Sequence, residues 1–172
     1  MEPSGVHLSA NLPLNWQPRE SFTAEELADW MRGNIVVLQA LGSLEATTKD
    51  SDTEHRIDHH VARLEAKLDL TLTLVGELLR RQTPLPPATA TVVTSDSITW
   101  QSQQAIAPHV TGVVALYLSS RLPWPLMLPV EIIGSQDGKA RAKLIHMSEE
   151  AQEWLDRTLF RHHRRAVHAK AR

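Results

Sequence analysis

One stretch constrains this chain more than any other: RIDHHVARLEAKLDLTLTLVGELLRR, Arg56 to Arg81. Ile57, Val61, Leu64, Leu68, Thr71, Val75 and Leu78 step alternately by four and three, the spacing of a coiled-coil seam. Glu65 and Lys67 flank the seam as a charged pair near its start. Leu72, Leu74 and Leu79 widen the stripe toward its end. A narrow seam suits two helices, whereas a wide one needs cover from more sides. Leu70 to Leu74 also alternates with period two, the pattern of a strand, but the heptad runs through it. A helix over 52–82 would be roughly 45 Å long, more than the remaining chain can cover with one core. The expected interface of an oligomer is therefore Ile57, Val61, Leu64, Leu68, Thr71, Leu72, Val75 and Leu78. Packing of this helix on the chain's own core is the alternative.

The helix has a local start and stop. Ser51-Asp52-Thr53-Glu54 has the form of a capping box, and Pro84 ends the run after about Gln82. A second box, Thr23 to Glu26, predicts an earlier helix from 24 to about Leu41, with Phe22 and Leu27 in staple positions. Its apolar face is Leu27, Met31, Ile35 and Leu38, and Gly42 is the expected stop. After Pro87 the character changes. Thr89–Thr94, Ile98–Trp100, Gly112–Ser119, Pro125–Ile133 and Lys139–His146 read as short strands, and Ser135-Gln136-Asp137-Gly138 reads as a turn. A last helix opens at Ser148 and presents Ala151, Trp154, Leu155, Thr158, Leu159 and His162 on one face. Residues 1–22, broken by Pro3, Pro13 and Pro18, read as a flexible arm. The expected fold is α+β. Its division is an arm (1–22), a helical oligomerisation region (23–82), a small antiparallel barrel with a C-terminal helix (83–166) and a basic tail (167–172).

Composition removes several kinds of function. The chain has no Cys, so disulfides, thiolate metal sites and thiol nucleophiles are out. A net charge of -2 argues against a protein built to hold nucleic acid or anionic lipid. No run approaches the roughly 20 apolar residues of a membrane span, and the N-terminus lacks a signal-peptide pattern, so a soluble cytoplasmic protein is expected. His55 and His59 stand four apart on one helix, but no metal motif completes them, and no metal or cofactor is expected. Neither a nucleophile elbow nor a phosphate-binding glycine loop occurs, so nothing points to an enzyme. The run Arg161 to Arg172 is basic. Nucleic-acid binding by this tail is a third reading, behind the simpler one that it complements a helix dipole.

Several stretches in order carry a resemblance. They are RLEAKLDLTLTLVGELL (Arg63–Leu79), VVTSDSITW (Val92–Trp100), LYLSSRLPWPLMLPVEIIG (Leu116–Gly134) and EEAQEWLDRTLFRHHRR (Glu149–Arg165). Together they resemble the PilZ family, in its atypical, tetrameric branch, over roughly residues 23–166. The resemblance implies a small β-barrel with a C-terminal helix, and a homotetramer held by long heptad helices. It also implies a link to the bacterial dinucleotide cyclic di-GMP. The family's R-x-x-x-R motif would fall at Arg80-Arg81, where no second arginine follows at the needed distance. Its [DN]-x-S-x-x-G motif aligns on Val92–Ser97, keeping only the hydroxyl at Thr94. Arg80, Arg81, Thr94, Ser95 and Ser97 are the candidate ligand contacts. Guanidinium groups grip phosphates in bidentate fashion and stack on guanine, which is why such a ligand asks for arginines.

The leading expectation is a non-enzymatic cyclic di-GMP-linked receptor or adaptor, in a process such as motility, acting as an oligomer on an unidentified protein partner. The alternative is an oligomeric scaffold that binds no nucleotide and presents its barrel or its Trp-containing loop, Leu122 to Leu126.

Overall fold

The computed structural model describes residues 5–46, 58–82, 84–119 and 122–170. The elements in order are β1 (Leu8–Pro18), α1 (Ala24–Ala46), α2 (Asp58–Gln82), β2 (Ala88–Val93), β3 (Ser97–Gln101), β4 (Thr111–Leu116), β5 (Leu126–Gln136), β6 (Lys139–Leu144) and α3 (Glu149–Lys170). The six strands form a closed antiparallel barrel in the order β1-β2-β3-β6-β5-β4. Alternation explains the strand faces. In β6, Ala140, Ala142 and Leu144 point into the core while Lys139, Arg141 and Lys143 stay outside. Asp137 and Gly138 both have positive φ and join β5 to β6 in a two-residue hairpin, as the Asp-Gly pair requires. In β5, Ile133 is the extra residue of a bulge between Ile132 and Gly134, which turns it outward.

The barrel is closed by the segment expected to be an arm. Leu8 to Pro13 pairs with β2, and Leu14 to Pro18 pairs with β4. Leu12 and Leu14 are buried, with Ala10 and Trp16 packed beside the core. The prolines that suggested an arm fall where a strand tolerates them. Pro13 stands at the end of the β2 ladder, where a missing N–H costs nothing, and its carbonyl accepts from the Tyr117 amide at 3.0 Å. Pro18 is the last residue of the strand. Opposite Pro18, Gly112 is required by close approach: a Cβ there would run into the Trp16 ring and the Gln17 carbonyl.

The helix α1, expected within the helical oligomerisation region, is part of the barrel unit. It packs on β5 and α3. The capping box forms as expected: the Glu26 amide donates to Thr23 Oγ1 at 3.1 Å, and the Thr23 amide donates to Glu26 Oε2 at 3.2 Å. Met31, Val37, Leu38 and Leu41 are buried, and so is Asn34 at 1% exposure. The Asn34 side chain donates to the Met127 carbonyl and accepts from the Met127 amide, both at 2.8 Å, clamping α1 to β5. Gly42 does not stop the helix, which runs on to Ala46. It makes room for Arg161 of α3, whose Nη1 lies 2.7 Å from where a Cβ would sit. The third helix starts where expected, with the Ala151 amide donating to Ser148 Oγ at 3.2 Å, and Ala151, Leu155, Thr158 and Leu159 are buried. It continues to Lys170, so most of the expected tail is helix.

Candidate functional site

The helix α2 departs from the economy of the rest. Among the described residues it has no extended packing against any other element. Its apolar face lies open: Val61, Leu64, Leu68, Val75 and Leu78 are all exposed, and Leu64, Leu68 and Leu78 are each 60% exposed. Thr71, on the same seam, is exposed and turns its hydroxyl back to the Lys67 carbonyl at 2.8 Å. Leu74 widens the stripe as expected. Ile57, His55 and the Ser51–Glu54 box lie outside the described residues, as does the side chain of Leu72.

The residues expected to touch a ligand fall in two places. Arg80 and Arg81 stand in the last turn of α2, with their side chains outside the described residues. Thr94, Ser95 and Ser97 form the turn between β2 and β3. The turn is a closed cage. Thr94 Oγ1 donates to Asp96 Oδ1 at 2.7 Å, and the Ser97 amide donates to Thr94 Oγ1 at 3.0 Å. The Ser97 hydroxyl sits 2.7 Å from Thr94 Oγ1. A hydroxyl has one proton and two lone pairs. With Ser97 as donor, Thr94 spends all three inside the turn. The Thr94 hydroxyl, with Ser97 behind it, holds the Asp96 carboxyl below the usual carboxylate range.

The cage is braced on both sides. The Leu144 amide donates to the Asp96 carbonyl at 2.8 Å. Gln152 Nε2 of α3 donates to the Ser95 carbonyl at 2.6 Å and to Asp156 Oδ1 at 3.2 Å. Beside the turn runs a shallow groove of about 410 Å³, lined by Val6, Ser95, Asp156, Arg157, Leu159 and Phe160. Its one guanidinium, Arg157, lies over the Trp154 ring at 5.1 Å and pairs with Glu153 at 3.4 Å. Among the described residues no group of three His, Asp or Glu is placed to hold a metal, and no helix is long and apolar enough to cross a membrane.

A second groove, of about 460 Å³, gathers residues from four separate segments. Trp30 comes from α1, Leu85 from the stretch after α2, Tyr117 from the end of β4, and Trp124 from the Leu122–Leu126 loop. Trp124 is 57% exposed. The loop itself drew notice in the sequence, but nothing local announced that Trp30, Leu85 and Tyr117 would meet it.

Comparison with known proteins gives these features a context. The family model described as an atypical PilZ domain, a cyclic di-GMP receptor, matches residues 38–172. Among solved structures, a pathogenic protein from Xanthomonas campestris is similar, with a TM-score of 0.78 at 26% identity over 94% of this chain and 90% of that chain. That protein is described as a tetrameric PilZ domain self-assembled via an unusual helical bundle. No curated protein matches.

Proposed function

The chain belongs to the atypical PilZ family, and on that premise we propose that it is a non-enzymatic, oligomeric adaptor in cyclic di-GMP-linked signalling. The helices α2 of several copies form the joint, a homotetramer, and each barrel is carried at the end of its α2 toward a protein partner. The process would be of the kind that family membership suggests, such as motility, and the setting would be cytoplasmic. The observation that carries this reading is the open seam. A helix with Leu64, Leu68 and Leu78 each 60% exposed is incomplete alone, and heptad spacing matches it to copies of itself. The similar protein from Xanthomonas campestris, tetrameric through a helical bundle, supports the same assembly.

Direct nucleotide binding in the family's usual way has weaker support in this chain. The one hydroxyl retained from the second motif, on Thr94, is consumed inside the turn. The groove beside that turn offers Asp156 as well as Arg157, and a carboxylate repels a phosphate diester. A scaffold role without nucleotide is therefore the second reading, favoured by the closed Thr94 cage.

Light scattering on the wild type and Leu68→Asp tests the joint, with calorimetric titration of cyclic di-GMP in the same buffer. The expected result is a wild-type mass of four chains and a single-chain mass for Leu68→Asp, because a charge in the seam is not tolerated. An unchanged mass in the variant would overturn the joint. Micromolar binding heat would place the ligand back on the chain and send the search to Arg80 and Arg81. No heat, with a mass of four chains, supports the scaffold.

A further inference from the structure

We infer that the groove between Trp30, Tyr117 and Trp124 is a second contact between copies of this chain, occupied in the assembly by a neighbouring copy. The inference rests on the oligomeric reading above and extends it from the stalk to the barrel.

Trp124 is the starting point. A tryptophan 57% exposed in a single chain, held between Pro123 and Pro125, is a large rigid apolar body presented outward at little entropic cost. Around it lie Trp30, Tyr117 and Met127, with Asp29 at the rim. The apolar surface continues onto the outer face of α1. Gly33 lines the same groove, and a Cβ placed there would meet nothing within 4 Å. Val36, three residues further along that face, is 64% exposed. Both protein–protein hot spots and exposed patches of this kind mark places that a partner covers.

Position identifies the partner. Leu85, in the groove, stands three residues beyond Gln82, the last residue of α2. Residues 84–87, which lead into β2, include Pro84, Pro86 and Pro87, so this stretch is stiff and extended. At about 3.1 Å per residue it holds the first residue of β2 within roughly 20 Å of the end of α2. A bundle of α2 helices therefore carries its barrels close to its own end, and the groove lies at that junction. The surface nearest to it in an assembly belongs to another copy. Asn34, which shares the groove lining, is already committed to Met127 by two hydrogen bonds, so the floor is rigid and the apolar wall is what remains to be covered.

The test is a dilution series followed by sedimentation, on the wild type, Trp124→Glu, Leu68→Asp and the double variant. Trp124→Glu is expected to remain assembled at high concentration but to dissociate at a concentration at least about tenfold above the wild type's. In the Leu68→Asp single chain, adding Trp124→Glu should leave the melting temperature unchanged, since that side chain is exposed there. A Trp124→Glu midpoint equal to the wild type's, with Leu68→Asp dissociated, would overturn the inference while leaving the stalk standing. It would also point to a different protein as the occupant of the groove. A melting temperature lowered by Trp124→Glu in the single chain would overturn it too, by assigning the residue to folding. A Leu68→Asp protein that stays assembled would sink the stalk itself. The groove contact would then survive only if Trp124→Glu alone broke the assembly.

Discussion

The barrel interior and the face of α2 are built from the same residue types and end in opposite environments. Leu128, Val130 and Ile132 are at most 1% exposed, whereas Leu64, Leu68 and Leu78 are each 60% exposed. Leaving a leucine in water forgoes about 2 kcal/mol of burial. The barrel recovers that within one chain, because β1 closes it and α1 and α3 cover it. The seam of α2 does not, since no element among the described residues packs along it. A core is thus complete in one copy, and in the proposed assembly a stalk is complete only in several.

That contrast can be broken most forcefully from the barrel side. Leu128→Ala should cost about 3 kcal/mol of barrel stability, through lost burial and a residual cavity. Leu78→Ala, the same substitution on α2 at an equally exposed position, should change the stability of a dissociated chain by less than about 0.5 kcal/mol. Denaturant melts of both in the Leu68→Asp background and the wild type would read the two values. Equal losses at both positions would mean that α2 packs on its own barrel.

The next effect sharpens where the barrel unit ends. Asn34→Ala removes the clamp between α1 and β5 and leaves the Met127 amide and carbonyl unpaired. It should cost about 2 kcal/mol. The oligomer mass at high concentration should not change, since the α2 stalk holds the assembly and the groove contact only adds to it. Loss of assembly on this substitution would instead make α1 part of the joint.

The smallest effect concerns the Thr94 cage. Asp96 is held below the usual carboxylate range by the Thr94 hydroxyl, and Glu26 by the Thr23 amide and then by Arg19. A carboxyl whose native pKa is depressed stabilises the fold above its unfolded pKa. That contribution is lost as pH falls through the native value. Stability should therefore decline on acidification below the carboxylate range, and Asp96→Asn should flatten part of that decline. Melting temperatures across an acid pH series check it. An unaltered acid slope in Asp96→Asn would mean that the cage adds nothing to the fold.

Much of this was written in local pattern. The alternation of Ala140, Ala142 and Leu144 against three cations, the Asp137-Gly138 turn and the Thr23–Glu26 box all formed where their spacing places them. The seam residues of α2 that are described lie on an open helix face. The candidate ligand residues were less legible. Thr94, Ser95 and Ser97 do share one turn, but the Thr94 hydroxyl is taken up by Asp96 and Ser97, and the Ser95 carbonyl by Gln152, which arrives from 57 residues away.

By itself the sequence determined the elements whose cause lies within a few residues: a helix with heptad spacing, five short strands, three caps and turns. Short-range spacing is enough for these, because side-chain direction repeats every two residues in a strand and every 3.6 in a helix. Only the tertiary structure decided that Leu8–Pro18 is the closing strand, that α1 rides on the barrel, and that Trp30, Leu85, Tyr117 and Trp124 share one groove. Two prolines locally oppose a strand at β1. They are overridden because closing the barrel pairs both edges that β2 and β4 would otherwise leave open, and an unpaired edge costs more than a proline placed where no donor is needed.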